Sequence, residues 1–93
     1  MSADGRGDRR VWADEGLLIW DGRALELYKS DGRHDGWRVD ARTVERWVVD
    51  DAVPGQIVLK LYTSSGHLAG ASIPEGSRAD IESILTEIDA LRP

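Results

Sequence analysis

Ser64, Ser65 and His67 stand close together in the chain and pair two hydroxyls with an imidazole, the minimum for nucleophilic catalysis. The surrounding residues carry no nucleophile-elbow motif and no acid that would orient the imidazole. His34 lies beside Asp35 and near Asp31, but a metal centre needs further ligands and a second shell that this loop does not supply. Asp50-Asp51 lacks the spaced oxygen ligands of a calcium loop. The segment Asp31-Gly32-Arg33-His34-Asp35-Gly36 has glycines but does not join a strand to a helix, as phosphate-cradling loops do. Asp14-Glu15 and Asp50-Asp51 are sequence neighbours, and neighbours in a strand point to opposite faces, so neither forms an acid/base pair across a cleft. With no cysteine in the chain, thiol chemistry, cysteine metal sites and disulfides are excluded. The expectation is a protein that is not an enzyme, with no cofactor and no metal.

The densest basic segment is Arg33, Arg38, Arg42 and Arg46, with Trp37 and Trp47 between them. Cations interleaved with aromatics are the pattern of a single-strand nucleic-acid platform. Asp35, Asp40, Glu45, Asp50 and Asp51 share the stretch, however, and a mixed, salt-bridged sheet face accounts for it better. The net charge of −5 also opposes nucleic acid and anionic membranes on average. These arginines remain the alternative site, for an anionic lipid headgroup or a small ligand.

Ninety-three residues, 41% hydrophobic and 31% charged, fit one domain with a single core. Met1–Arg10 has little to bury and reads as a disordered tail. It has no apolar stretch of the signal-peptide kind, so a cytoplasmic location is expected. Its Arg6-Gly7-Asp8 tripeptide is attributed to composition. Residues 11–93 form the domain.

Strand candidates are Val11–Ala13, Leu17–Trp20, Arg23–Lys29, Gly36–Ala41, Thr43–Asp50, Gln56–Thr63 and His67–Ile73. Asp21-Gly22 predicts a tight hairpin with Trp20 facing Arg23, Ile19 facing Ala24 and Leu18 facing Leu25. Its core face is Leu18, Trp20, Leu25 and Leu27. In Thr43–Asp50 the alternation sets Val44, Arg46 and Val48 against Glu45, Trp47 and Val49. The spacing of Ile81, Ile84, Leu85, Ile88 and Leu91 predicts one apolar face of a helix over Ser77–Leu91, with Ser77 as N-cap and Asp80 completing a capping box.

Seven short strands closed by one amphipathic helix resemble the pleckstrin-homology-like fold, in particular its bacterial members. The resemblance is carried by Gly36–Ala41, Thr43–Val49, the hairpin turning at Ser64-Ser65-Gly66, Ile73-Pro74 and the helix with Ile81, Ile84, Leu85 and Ile88 inward. It implies an α+β, mainly β domain: a partly open barrel of about seven antiparallel strands capped by the C-terminal helix. Many eukaryotic members bind phosphoinositides through a basic loop between the first two strands. Here that loop is Asp14-Glu15-Gly16, and the helix lacks the usual Trp. The implied role is an interaction module that binds a protein, a peptide or a second copy of itself. The expected working surface is the edge Thr43–Asp50 or the loop before it, with Arg38, Arg42, Arg46, Trp47 and Val49 as the interaction residues.

Overall fold

A computed structural model describes residues 9–29 and 36–92. The chain runs β1 (Arg9–Trp12), β2 (Gly16–Trp20), β3 (Ala24–Lys29), β4 (Trp37–Asp40), β5 (Val44–Val53), β6 (Gln56–Thr63), β7 (Leu68–Pro74) and α1 (Arg78–Leu91). Short 3-10 turns, Ala41–Thr43 and Glu75–Ser77, lead into β5 and α1. Every pairing is antiparallel, in the orders β1-β2-β3-β4 and β5-β6-β7. The domain is therefore α+β and mainly β. Its two sheets do not close into a barrel, and β1, β4, β5 and β7 are edges. Arg9 and Arg10, expected in the tail, already belong to β1. Residues 1–8 with Arg6-Gly7-Asp8, and the loop segment with Asp31, Arg33, His34 and Asp35, lie outside the described residues.

One core joins the sheets and the helix. It takes Leu18, Trp20, Leu25 and Leu27 from the first sheet, Ile57, Leu59, Leu61, Ala71 and Ile73 from the second, and Ile81, Ile84, Leu85 and Ile88 from α1. In β6 the alternation is unbroken, with Ile57, Leu59, Leu61 and Thr63 inward. Each buried aliphatic contributes about 2 kcal/mol of gross hydrophobic stabilisation, so the four helical residues alone hold α1 against the sheets. Trp20 is the largest fully buried side chain, and its indole N–H donates to Glu87 Oε1 at 3.0 Å. That bond satisfies the one polar atom the burial would otherwise strand.

The β2–β3 hairpin forms in a register two residues from the expected one. Trp20 faces Leu25, Ile19 faces Glu26 and Leu18 faces Leu27. The cause is Asp21. Its carboxylate accepts the N–H groups of Arg23 and Ala24, both at 2.8 Å, and its own N–H donates to the Ala24 carbonyl at 3.2 Å. Asp21 and Ala24 thus close the turn, and Gly22-Arg23 form its tip, with Gly22 at φ +93°. Burial alone would raise the Asp21 carboxyl, but the Ala24 and Arg23 N–H groups together with Arg38 outweigh it and hold it below its ordinary value. A displacement by two keeps every residue on its face, so the expected core face is retained. Ala24, expected opposite that face, is buried too, beside Asp40 of β4.

β5 departs from simple alternation. Val44 pairs with Thr63 but Arg46 pairs with Tyr62, which leaves Glu45 as an extra residue, and a second irregularity lies between Asp50 and Val53. One extra residue reverses the faces. Val44, Trp47 and Val49 consequently share the core side, while Arg46 and Val48 point outward. The expected grouping of Val44 with Arg46 and Val48 is corrected by that bulge.

Helix α1 begins at Arg78, one residue later than expected, and Ser77 makes no side-chain capping bond. The 3-10 turn before it leaves Ser77 at ψ 8°, outside the extended conformation a capping hydroxyl requires, so the Ser77–Asp80 box does not form. Arg78 instead ties the junction, pairing with Glu75, Glu82 and Asp51. The hydrogen bond to Arg78 holds the Glu75 carboxyl below its ordinary value and raises the Arg78 guanidinium. Leu91, expected on the core face, is 41% exposed and lies outside the core.

Candidate functional site

Backbone groups at an edge strand alternate between those that pair inward and those that face away. The hydrogen bonds fix which are which. Ala13 and Gly16 exchange both bonds, at 2.8 and 3.3 Å, so two-residue alternation turns Val11 and Arg9 toward β2 and Arg10 and Trp12 outward. Thr63 N–H donates to the His67 carbonyl at 3.0 Å. Tyr62, Lys60 and Val58 then face β5, where they pair with Arg46, Val48 and Asp50, and Trp47 and Val49 are left outward. The same rule turns Gly70 and Ser72 of β7 away from β6.

The β7 edge is covered from the Gly70 carbonyl to Pro74. Ser72 N–H donates to both carboxylate oxygens of Glu15, at 3.0 and 3.3 Å, and the Ser72 carbonyl accepts Asp14 N–H at 2.8 Å. Gly70 O accepts the Trp37 indole N–H at 3.1 Å, and Pro74 has no N–H to offer. The acidic loop between β1 and β2 thus serves as a backbone cap. Asp14 also accepts the Gln56 side-chain amide.

The β5 edge has a covered backbone group at one end and a side-chain ion pair near the other. Arg92 donates to the Glu45 carbonyl at 2.5 Å, and Arg78 reaches Asp51. Between them the Trp47 side chain packs on the core and donates to Asp89 Oδ1 at 3.0 Å, and Val49 also packs on the core. The outward N–H and C=O groups of Trp47 and Val49 meet no partner among the described residues. The strand pattern alone expects both residues to offer side chains to a partner. The structure turns those side chains inward and presents their backbone.

The arginines are not brought together. Arg38 donates to Glu26 Oε1 at 2.9 Å and lies 3.5 Å from Asp21, and its guanidinium is raised above its ordinary value, first by the Glu26 hydrogen bond. Arg42 sits on the 3-10 turn with Asp40 at 3.6 Å. The Asp40 carboxyl is lowered, chiefly by the Arg42 backbone N–H. Arg46 projects from the outer face of β5 and lies 4.0 Å over the Tyr62 ring. Arg33 is outside the described residues. Of the interleaved acids, Asp40 pairs with Arg42, whereas Arg38 is paired by Glu26 and Asp21 of the β2–β3 hairpin.

Trp37, Arg38, Ser64, Ser65 and His67 do gather, along a groove of about 510 Å³ between β4 and the β6–β7 hairpin. The hydroxyls of Thr63 and Ser65 serve the turn. Thr63 Oγ1 lies 3.0 Å from Ser65 Oγ, accepts His67 N–H at 3.2 Å and donates to His67 O at 3.3 Å. These bonds engage the His67 backbone rather than its ring. Among the described residues, no group of three or more His, Asp or Glu is placed to hold a metal. No helix among them is long and apolar enough to cross a membrane. Compared with known proteins, the chain matches no family model, no curated protein and no solved structure.

Sequence reasoning missed the outward backbone at Arg10 and Trp12. The only signal was Val11 as the single aliphatic residue in Arg9–Trp12, which marks a strand with one buried position. Edge status is a tertiary fact that such a pattern does not encode.

Proposed function

We propose that this chain is a non-enzymatic, pleckstrin-homology-like interaction module that binds an extended peptide by adding it to the β5 edge. The observation that carries the reading is the outward backbone of Trp47 and Val49, in the middle of a ten-residue edge strand whose two ends are tied to α1. An added strand gains main-chain hydrogen bonds there without disturbing the inward side chains. The four-strand, three-strand, helix order agrees with the pleckstrin-homology-like reading. The net charge of −5 favours a neutral or basic peptide over an acidic one. The ion pairs of Arg38 and Arg42 count against the lipid-headgroup alternative, because a headgroup would have to displace carboxylates already in place.

Selection from a random peptide library, followed by amide-shift mapping of a selected peptide on the isotopically labelled protein, tests the proposal. Val49→Pro removes an outward donor and leaves the ladder to β6 intact. The expected result is shifts confined to residues of β5 and the facing side of α1, and loss of binding in the folded Val49→Pro variant. Shifts centred on the β4–β7 groove, or equal binding by Val49→Pro, would overturn it.

A further inference from the structure

The β1 edge combines open backbone with side chains that complement themselves. Arg10 and Trp12 both direct their N–H and C=O groups away from β2, and neither residue's outward groups meet a partner among the described residues. The next position, Ala13, is already paired with Gly16, and from Asp14 onward β7 closes the edge. The open window is therefore short and centred on Val11.

The side chains of Arg10 and Trp12 lie on the outer face, because Val11 between them is buried. Trp12 is 66% exposed, the most exposed large hydrophobic residue among those described. Across the sheet it continues into Leu17 and then Tyr28, which is 50% exposed. Arg10 continues into Ile19 and Glu26.

We infer that β1 pairs with β1 of a second copy of this chain, antiparallel about a two-fold axis through Val11. In that register Arg10 of one copy lies opposite Trp12 of the other, and the reverse pair follows by symmetry. Both positions have outward backbone, so each Arg10–Trp12 pair exchanges two hydrogen bonds. On the same face each guanidinium lies against an indole at the distance of directly opposed side chains. The strand is its own complement, which a two-fold interface demands and a chance edge seldom meets. An unrelated peptide would need an aromatic and a cation at this spacing. A second copy supplies both. The two first sheets merge into one of eight strands, and the Trp12–Leu17–Tyr28 ladder of one copy runs on into Arg10–Ile19–Glu26 of the other. The contact is small, so the dimer is weak and dependent on concentration. It leaves the β5 edge free, and its failure would not affect the peptide-binding reading.

Sedimentation velocity with amide-shift measurement, on the full chain from low-micromolar to millimolar concentration, tests this. The expected result is a monomer–dimer equilibrium in which the Arg10 and Trp12 amides move most. Arg10→Glu and Trp12→Arg should each weaken association by about tenfold, the size expected for two exposed cation–π contacts. Mixing the two variants should restore it. The carboxylate introduced in one variant would then face the guanidinium introduced in the other, and the unaltered Arg10 and Trp12 would still face each other. Val49→Pro should leave self-association unchanged. A monomer at every concentration, association that ignores both substitutions, or no recovery on mixing would overturn the inference. Loss in Val49→Pro with retention in Trp12→Arg would assign self-association to β5 and overturn it as well.

Discussion

The β7 and β1 edges are chemically alike and end up opposite. Each presents two neighbouring outward-facing residues of a short strand: Gly70 and Ser72 in one, Arg10 and Trp12 in the other. At β7 an acidic loop covers both backbone groups of Ser72, and an indole covers the Gly70 carbonyl. At β1 the outward groups stand open beside an exposed Trp. A free edge invites association, and proteins blunt the edges they do not use. The contrast teaches that this chain has the means to close an edge and applies them to only some. The open β1 and the mid-section of β5 are the edges we propose for partners.

The largest expected effect concerns what holds both edges in place. Ile84 is buried between the sheets, and Ile84→Asp inserts an unpaired charge there. Such a charge costs several kcal/mol against a total stability of about 5–15 kcal/mol. Loss of the cooperative unfolding transition in circular dichroism is expected. An equally stable variant would mean that α1 does not hold the sheets, and the edge contrast would lose its frame.

A matched pair of proline substitutions tests the contrast itself. Neither Ser72→Pro nor Trp12→Pro breaks a ladder bond, since both N–H groups face outward. Ser72→Pro does break the bond to the Glu15 carboxylate. It should cost about 1.5–3 kcal/mol more in denaturant unfolding than Trp12→Pro, the range for a hydrogen bond to a charged group. Equal costs would mean the β7 cap contributes nothing.

Much of this architecture was legible in the residues. β6 shows an uninterrupted two-residue alternation, and Ile81, Ile84, Leu85 and Ile88 mark the helical face, because packing on one core imposes both periods. What stayed hidden depended on local competition. The Asp21 side chain captures two backbone N–H groups and moves the hairpin tip by a residue. Glu45 bulges without a glycine or proline to announce it, so simple alternation gives Trp47 and Val49 a side-chain role that the structure gives to their backbone. The Asp14-Glu15 pair carries no local sign of its capping role, because the bond from Ser72 spans fifty-seven residues of chain.

The smallest effect is on pH. Asp21, Asp40 and Glu75 all have carboxyls held below their ordinary values of 3.8, 3.8 and 4.5. A lowered acid stabilises the fold above its unfolded-state value, and that contribution is lost as pH falls through the folded value. Stability should be flat from neutrality to about pH 5 and decline below about pH 4. Asp21→Asn should flatten part of that decline in acid titrations of the unfolding midpoint. An unchanged decline would assign acid sensitivity to other groups. These carboxyls sit at turns rather than at the edges, so the edge contrast should survive mild acid.

Amide hydrogen exchange, resolved residue by residue on dilute protein, tests the central contrast most directly. Ser72 should exchange slowly, because its N–H is held by Glu15, while Arg10, Trp12, Trp47 and Val49 exchange at rates near those of open backbone. Slow exchange at Trp12 and Val49, or exchange at Ser72 as fast as theirs, would contradict the account.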